Sequence, residues 1–384
     1  MRLKSISVNN FKSLVNFNLP LSKFNCIVGL NGSGKSSILQ FFDFLAQQVK
    51  GEMDQWLKKR HWEPSDIRSK LIPKKNVEFR ITFSSEQGNA NVWTASFNTK
   101  TLRCTNERII WNGKNILKVE SGYYTIQKNK SEGLIKIPIN FDYQGSLMSQ
   151  LKEELLPPDA GRLKHFFKEF RSLDLLAPEL LRQRTRKAGN SLGLGGERLS
   201  AFLFETKDEK RKKIVAQLKK CYPNLVNIES TAMRSGWKKL IVHEIFNKNI
   251  LKTEARHVAD GFLRMLAIFA QLSNDQSFLL LDEIENGINL ELIESLIDVL
   301  VEATPQILVS THSPVILNYI EDTVAIDSVI YIYKNRSGET KSIKLFDIPS
   351  MKEKLTVMGP GEAYEDTSLT EFYHEIIQYS DSKR

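Results

Sequence analysis

The stretch GLNGSGKSS at residues 29–37 follows an apolar run, FNCIV at residues 24–28, and continues into an amphipathic segment at residues 36–49. From Gly29 to Ser36 it matches the pattern G-x-x-x-x-G-K-[ST]. A buried strand before that pattern and a helix after it form the context in which it binds phosphate. The glycines let successive backbone amides point at phosphate oxygens, and the helix N-terminus adds partial positive charge. This stretch therefore predicts a strand, a phosphate loop and a helix.

Two side chains of the loop have distinct predicted roles. Lys35 reaches the terminal phosphates of a nucleotide, and the Ser36 hydroxyl is a ligand for Mg²⁺. An ordinary glycine turn explains neither the lysine nor the flanking elements, so we favour nucleotide binding. The residues of the loop predicted to hold the nucleotide are Asn31, Gly32, Ser33, Gly34, Lys35, Ser36 and Ser37.

A second motif, FLLLDEIENGIN at residues 278–289, supplies two acids after a wholly apolar run. Such a run predicts a central parallel strand, and Asp282 would emerge at its carboxyl end, where such sheets bind ligands. Asp282 is the predicted second protein ligand of Mg²⁺. Glu283 is placed to orient or deprotonate the attacking water. The alternative is that these acids only contact solvent or cap a helix, and the upstream phosphate loop makes that interpretation weaker.

A third apolar run, QILVSTH at residues 306–312, ends in His312. Taken alone, a histidine in this position is more simply a structural residue. Its position some thirty residues after Asp282, at the end of another predicted parallel strand, favours a place near the terminal phosphate. The alternation of helix and buried strand from residue 253 onward is typical of a parallel α/β core.

Four segments in order resemble the ATPase head of the ABC superfamily, in the soluble branch that contains SMC proteins, RecF-like proteins and the OLD-type ATPases of bacterial defence systems. The resemblance implies an α/β fold: an ABC-type P-loop ATPase head with a parallel core sheet, an N-terminal antiparallel β subdomain and a helical insertion. It covers most of the chain and matches weakly in the middle. The four segments are GLNGSGKSS, VADGFLRML (258–266), LLLDEIENGIN (279–289) and STHSP (310–314), and LKSISVNNFKSL (3–14) and LGLGGERLSAFL (192–203) resemble the same branch.

The resemblance implies three lobes. We expect an N-terminal ATPase lobe with the phosphate loop and the β subdomain at residues 1–145. A mainly helical insertion with mixed elements is expected at residues 146–252. The C-terminal ATPase lobe, with the signature segment, the acids and His312, is expected at residues 253–384.

The resemblance also implies ATP and Mg²⁺ as cofactors and a homodimer or higher oligomer that closes around the nucleotide. Asp260 and Gly261 occupy the signature position, which would face the phosphate held by the opposite subunit. Ala259 stands where a serine usually offers its hydroxyl, so the rate of hydrolysis is open. Lys12 and Gln144 are the further residues that the resemblance places at the nucleotide, Gln144 as a metal-sensing glutamine.

Three functions remain open at this stage. The favoured one is an ATPase that acts as the sensor or regulator subunit of a bacterial anti-phage defence complex, with a separately encoded effector such as a nuclease. The second is a RecF- or SMC-like DNA-repair ATPase that clamps duplex DNA, and the third is a non-hydrolysing scaffold that uses ATP as structural glue. About seventy residues follow His312, so we expect no C-terminal Toprim nuclease domain.

The composition gives further expectations about partners and compartment. The net charge of +9 favours an anionic partner such as nucleic acid. Basic clusters lie at residues 56–75, 182–187 and 207–213; Trp56 and Trp62 of the first could stack on bases, although a solvated lysine-rich surface explains such clusters as well. The absence of a membrane-spanning or signal-like apolar stretch favours a cytoplasmic protein without a membrane partner. The three scattered cysteines indicate neither a disulfide framework nor a zinc site.

Overall fold

The structure of the chain is a computed structural model that describes residues 1–84, 90–127, 135–173, 176–186, 191–193, 195–274 and 277–382. Lys187 of the second basic cluster and Leu194 of the LGLGGERLSAFL segment lie outside the described residues. Within these ranges, none of the helices combines the length and the apolar character needed to cross a lipid bilayer.

Strands make up much of the first half of the chain and recur in the second half. The strands of the described residues are β1 (Arg2–Asn9), β2 (Phe17–Pro20), β3 (Phe24–Val28), β4 (Asn76–Ser84), β5 (Ala90–Asn98), β6 (Arg103–Trp111), β7 (Lys114–Glu120), β8 (Tyr123–Ile126), β9 (Ile135–Pro138), β10 (Phe170–Leu173), β11 (Leu225–Ala232), β12 (Lys238–Phe246), β13 (Asn249–Glu254), β14 (Phe278–Leu281), β15 (Gln306–Ser310), β16 (Val329–Lys334) and β17 (Thr340–Lys344).

Helices follow the first strands and dominate the second half. The α-helices of the described residues are α1 (Lys35–Lys50), α2 (Met53–Arg60), α3 (Pro158–Lys168), α4 (Pro178–Leu181), α5 (Leu199–Glu205), α6 (Asp208–Cys221), α7 (Asp260–Leu272), α8 (Leu290–Glu302), α9 (Asp322–Ser328), α10 (Pro349–Lys354), α11 (Pro360–Glu365) and α12 (Leu369–Ser382).

The chain divides into two compact units. The first unit consists of Met1–Phe170, Asp322–Met358 and Ala363–Arg384, and the second of Arg171–Glu321 and Gly359–Glu362. These borders differ from the three lobes predicted at residues 1–145, 146–252 and 253–384. The last part of the chain returns to the first unit because β16 pairs in parallel with β3 there.

The first unit contains an eight-stranded antiparallel sheet in the order β2-β1-β4-β5-β6-β7-β8-β9. Alternate side chains of β4, from Val77 to Phe83, are buried, which is the pattern of a strand with one face on a core. The inner face packs on α1, where the rings of Phe41 and Phe44 meet the ring of Phe79 at centroid distances of 6.1 and 6.4 Å. The N-terminal antiparallel β subdomain predicted from the sequence is therefore confirmed.

The second unit contains a parallel pair of strands and a smaller antiparallel sheet. β14 pairs in parallel with β15, from Phe278 opposite Gln306 to Leu281 opposite Val309. Both strands are wholly buried, as their continuous apolar sequences predicted. The strands β11, β12 and β13 form a separate three-stranded antiparallel sheet. Most of this sheet lies in the segment at residues 146–252, which was predicted to be mainly helical with mixed elements.

Candidate nucleotide-binding site

The predicted phosphate loop connects the fully buried β3 to α1 in the first unit. Two of its glycines allow a path that other residues would not. Gly29 has φ +150°, and a Cβ there would lie 2.2 Å from the carbonyl oxygen of Ile332. Gly34 has φ +113°, and a Cβ there would lie 2.1 Å from Oγ1 of Thr340. The loop is therefore packed directly against backbone and side chains of β16 and β17, which only glycine permits.

Lys35 lies inside this loop and is only 5% exposed. Its ammonium donates hydrogen bonds to the carbonyl oxygens of Gly29 at 2.6 Å and Leu30 at 3.2 Å. The hydroxyl oxygen of Ser33 is buried and has no hydrogen-bond partner among the described residues. The first turn of α1 carries no acidic side chain to compensate its N-terminal partial charge. A buried cation, an unsatisfied hydroxyl and an uncompensated helix start fit a phosphate group.

The remaining loop residues are accessible. Asn31, Gly32 and Ser36 are exposed, and Ser37 is half-buried. The role of the exposed Ser36 as a ligand of Mg²⁺ stays a prediction. Ser37 accepts a hydrogen bond from the hydroxyl of Ser13 at 3.3 Å.

Two residues that support the loop were not found from the sequence. The hydroxyl oxygen of Thr340 lies 2.8 Å from the Ser13 hydroxyl oxygen and 2.8 Å from the carbonyl oxygen of Ser33. Ser13 and Thr340 thus support the second half of the loop, at Ser33 and Ser37. They are 327 positions apart, and neither carries a motif of its own, so no local pattern could have paired them.

Lys12 neighbours Ser13 in a tight turn, in which Phe11 and Leu14 exchange two backbone hydrogen bonds. Its ammonium lies 3.3 Å from the centre of the Trp62 ring. Burial lowers the pKa of Lys12 to about 8, with a further lowering by the charge of Arg60 and an opposing effect from Asp66. The turn places Lys12 beside the loop, and its role toward a nucleotide stays a prediction.

Gln144 lies at the other end of α1 from the phosphate loop. Its side-chain amide is hydrogen-bonded to Asp54 at the start of α2, and the next residue, Gly145, packs against the backbone of Gln48. Gln48 lies thirteen positions after Lys35 in the helix, which corresponds to about 20 Å at the α-helical rise. The structure therefore does not bring Gln144 to the loop, and we leave it out of the proposed site. The short sequence segment from which Gln144 was predicted does not show how far this residue lies from the loop.

In the second unit, the acids and the histidine predicted at the strand ends come together. Because β14 and β15 end level, Asp282 and Ser310 lie side by side. The Ser310 hydroxyl donates to the carboxylate of Asp282 and accepts a hydrogen bond from the backbone N–H of Glu283 at 2.9 Å. Nε2 of His312 lies 3.5 Å from Oε1 of Glu283. Ser310 was not predicted as a site residue, although it stands two positions before His312.

The backbone at Glu283 is turned away from the strand direction. Its φ of +46° is in the left-handed region, which is uncommon for a residue other than glycine. The backbone N–H of Ile284 donates to the carbonyl oxygen of Ser310 at 3.1 Å, and the N–H of His312 donates to Oε1 of Glu285 at 2.8 Å. These bonds hold the turn after β14 against the end of β15. The half-exposed carboxylate of Glu283 is left facing His312 and solvent.

The predicted signature segment forms the start of α7. Ala259 is the N-cap residue and provides no side-chain hydrogen bond to the helix. Asp260 forms an ion pair with Arg182, whose guanidinium also donates to the carbonyl oxygen of Val258 at 2.8 Å. A Cβ at Gly261 would lie 2.6 Å from the carbonyl oxygen of Gly287, so this glycine allows α7 to contact the turn after β14.

Two arginine side chains of the second basic cluster form ion pairs within the second unit. Arg182 is bound to Asp260, and Arg184 makes a two-bond ion pair with Glu254 at 2.8 and 3.0 Å. These two residues are therefore less available to nucleic acid than the sequence suggested.

Family comparison identifies the chain. The model described as "AAA domain, putative AbiEii toxin, Type IV TA system" matches residues 24–318, which is more than half of the chain. The chain belongs to this AAA family. The match begins at β3 of this AAA domain, directly before the phosphate loop, and ends beyond His312. No curated protein matches the chain.

Solved structures show that the AAA domain has the fold of an SMC-like ATPase head. The head of an SMC protein bound to the C-terminal winged-helix domain of ScpA has a TM-score of 0.54 and 18% identity, and the match covers 93% of this chain and 100% of that one. The SMC head domain from Thermotoga maritima has a TM-score of 0.50 and 12% identity, with coverages of 90% and 99%. A Smc head with an extended coiled coil, bound to the C-terminal domain of ScpA derived from Pyrococcus furiosus, has a TM-score of 0.54 and 15% identity, with coverages of 92% and 99%.

Proposed function

We propose that the protein is an ATPase that binds ATP with Mg²⁺ and hydrolyses it. The observation that carries the proposal is the buried ammonium of Lys35 in the glycine loop, which also contains the unsatisfied hydroxyl of Ser33. A buried ammonium in a glycine loop is placed to form charge-assisted hydrogen bonds with an anionic group such as a phosphate. Membership of the AAA family supports ATP as the nucleotide.

The side chains have separate proposed roles. Lys35 and the loop amides bind the phosphates, and Ser36 and Asp282 are the Mg²⁺ ligands. When bound, Mg²⁺ neutralises charge on the phosphate oxygens. Glu283 holds and deprotonates the attacking water, and His312 orients the Glu283 carboxylate that it faces at 3.5 Å. Ser310 fixes Asp282 by donating a hydrogen bond to it, so the carboxylate is preorganised.

The same proposal includes dimerisation around the nucleotide. Asp260 and Gly261, at the start of the 13-residue helix α7, face the phosphates held by a second copy of the chain. ATP then stabilises the closed dimer, and hydrolysis releases it, because a ligand favours the state to which it binds better. Ala259 offers no hydroxyl to the phosphate, which favours slow hydrolysis.

We propose an anti-phage defence complex as the setting, with this chain as the sensor or regulator and a separate effector such as a nuclease. The family description, which names a toxin of a toxin–antitoxin system, supports this setting. The SMC heads of similar fold in complex with ScpA domains are examples of heads that bind a separate protein. Co-purification with the product of a neighbouring gene tests this part of the proposal.

Replacement of Glu283 by Gln tests the catalytic assignment. Loss of the general base lowers phosphate release by about 100-fold or more, while the loop still binds ATP. In light scattering with ATP and Mg²⁺, Glu283→Gln then accumulates at twice the monomer mass. The matched control is Glu294→Gln, an exposed acid on α8, which keeps the wild-type rate. Unchanged phosphate release in Glu283→Gln contradicts the assignment, and a wild-type protein that dimerises on ATP without releasing phosphate is a scaffold instead.

A further inference from the structure

Trp237 is the central residue of an exposed surface on the second unit. It lies in the turn before β12 and is 39% exposed. The guanidinium of Arg186 lies 5.1 Å from the centre of its indole ring. This contact is fixed by backbone pairing, because Thr185 and Lys238 exchange hydrogen bonds of 3.4 and 2.9 Å, which brings their neighbours Arg186 and Trp237 together.

A second exposed aromatic ring lies near Lys238, the residue that follows Trp237. Phe204, on α5, is 41% exposed, and the ammonium of Lys238 lies 5.5 Å from the centre of its ring. The helix is anchored to the sheet by the Ser230 hydroxyl, which donates to the carbonyl oxygen of Ser200 at 2.6 Å. Two large exposed rings, each with a cation near it, are thus connected through the consecutive residues Trp237 and Lys238.

The charge of this region is positive. Residues 182–186 and 231–240 contain no Asp or Glu. Arg234, in the same turn as Trp237, and Arg186 are both exposed. The acids nearest in sequence to these segments are Glu179, Glu229 and Glu244, and Glu205 directly follows Phe204. We call Arg186, Phe204, Arg234, Trp237 and Lys238 the aromatic-basic surface.

Exposed rings and cations in one place match the chemistry of nucleic-acid strands. Unpaired bases stack on aromatic rings and on arginine planes, and the backbone phosphates pair with cations. In a duplex the faces of the bases are stacked on one another. Its phosphates can therefore contact the cations, but its bases cannot stack on the rings. An acidic protein surface likewise can pair with the cations, but its carboxylates do not stack on the two exposed rings.

We propose that the aromatic-basic surface binds single-stranded nucleic acid, DNA or RNA, through stacking on Trp237 and Phe204 and phosphate contacts with Arg186, Arg234 and Lys238. The proposal does not rest on nucleotide binding at the phosphate loop, and it is tested without ATP. It assigns base stacking to the second unit and not to the first basic cluster, in which Trp56 is 4% exposed and the ring of Trp62 is covered by the ammonium of Lys12.

The test uses the full chain and fluorescence anisotropy with labelled 20-nucleotide strands of dT and of U. We expect saturable binding at low salt that weakens as salt rises. Trp237→Ala lowers the affinity by roughly 5- to 150-fold, the range expected for one stacked base, and Trp237→Phe restores most of it. Arg186→Glu weakens binding and lowers the salt dependence. The matched control is Lys58→Glu combined with Lys59→Glu, two exposed lysines of α2, which leaves the affinity within about twofold.

Three further ligands make the test decisive. An abasic strand of the same length and a duplex should bind more weakly than the dT strand, and Trp237→Ala should not change their affinities. The proposal is overturned if no strand binds, if the abasic strand binds as well as the dT strand, or if the α2 control loses as much affinity as Trp237→Ala. An acidic peptide that binds more tightly than any strand would identify a protein partner in place of nucleic acid. Circular dichroism checks folding, and if Trp237→Ala is unfolded, Phe204→Ala is judged by the same outcomes.

Discussion

Lys12 carries its charge in an unusual setting for a lysine. Its ammonium is partly buried over the Trp62 ring, and burial and Arg60 lower its pKa to about 8. The charged form is thus disfavoured, and the side chain loses its proton as the pH rises through about 8. If the phosphates bind beside Lys12, as predicted, they favour its charged form, and the free energy needed to charge the side chain then lowers the affinity for ATP.

This setting predicts a pH dependence of ATP binding. The charged fraction of Lys12 falls from about 90% at pH 7 to about 10% at pH 9. We therefore expect the wild-type affinity for ATP to fall by up to about ninefold between these values, because only the charged form is competent. Lys12→Arg keeps its charge at both values and should show little change. Titration calorimetry measures both proteins, and parallel pH profiles would exclude a role for Lys12 at the nucleotide.

Individual residues of the candidate site were predictable where local patterns define them. The spacing of Gly29, Gly34 and Lys35 specifies a loop whose geometry needs no knowledge of the rest of the chain. Ser13 and Thr340, which hold that loop, could not be found because their contact joins distant parts of the sequence. Ser310 was missed for a related reason, since its bond to Asp282 depends on the register of β14 and β15.

At the scale of elements, α2 shows how a basic cluster can be structural. Arg60 forms an ion pair of 2.7 Å with Asp43 of α1, in which both side chains are largely buried. The same carboxylate accepts a hydrogen bond of 2.6 Å from the indole N–H of Trp56. Lys58 and Lys59, in contrast, are exposed. Composition alone could not separate these roles, because it does not show which face of α2 is buried.

Loss of Arg60 should therefore destabilise the first unit. Arg60→Ala leaves the Asp43 carboxylate buried without its cation, and we expect the free energy of unfolding to fall by about 3 kcal/mol. Lys59→Ala on the same helix should change it by less than about 0.5 kcal/mol. Urea denaturation followed by circular dichroism measures both. Equal effects of the two substitutions would show that the Arg60 pair contributes nothing specific.

The helices and strands could be predicted from the sequence more fully than their arrangement in space. The buried strands β3, β14 and β15 and the helix α1 could be predicted, because continuous apolar runs and helical periodicity are local signals. The position of Gln144 at the far end of α1 could not, since it depends on how the loop after β9 returns to that helix.

At the scale of the whole molecule, the fold of an ABC- and SMC-like ATPase head was predictable from the order of its motifs, and family membership and similar structures agree with it. The borders of the compact units were not predictable. Sequence patterns separate segments along the chain, whereas β16 rejoins β3 across some 300 residues. The exposed rings of Trp237 and Phe204 likewise became visible only when burial was known.

The most direct test of the account is titration calorimetry of the full chain with a non-hydrolysable ATP analogue and Mg²⁺. We predict saturable binding that Lys35→Ala weakens by at least about tenfold, since a charge-assisted hydrogen bond contributes about 1.5–3 kcal/mol. Lys58→Ala, the exposed control on α2, should bind like the wild type. No heat of binding in the folded wild-type protein, or equal affinity in Lys35→Ala, would contradict the claim that the loop at residues 29–37 holds the nucleotide.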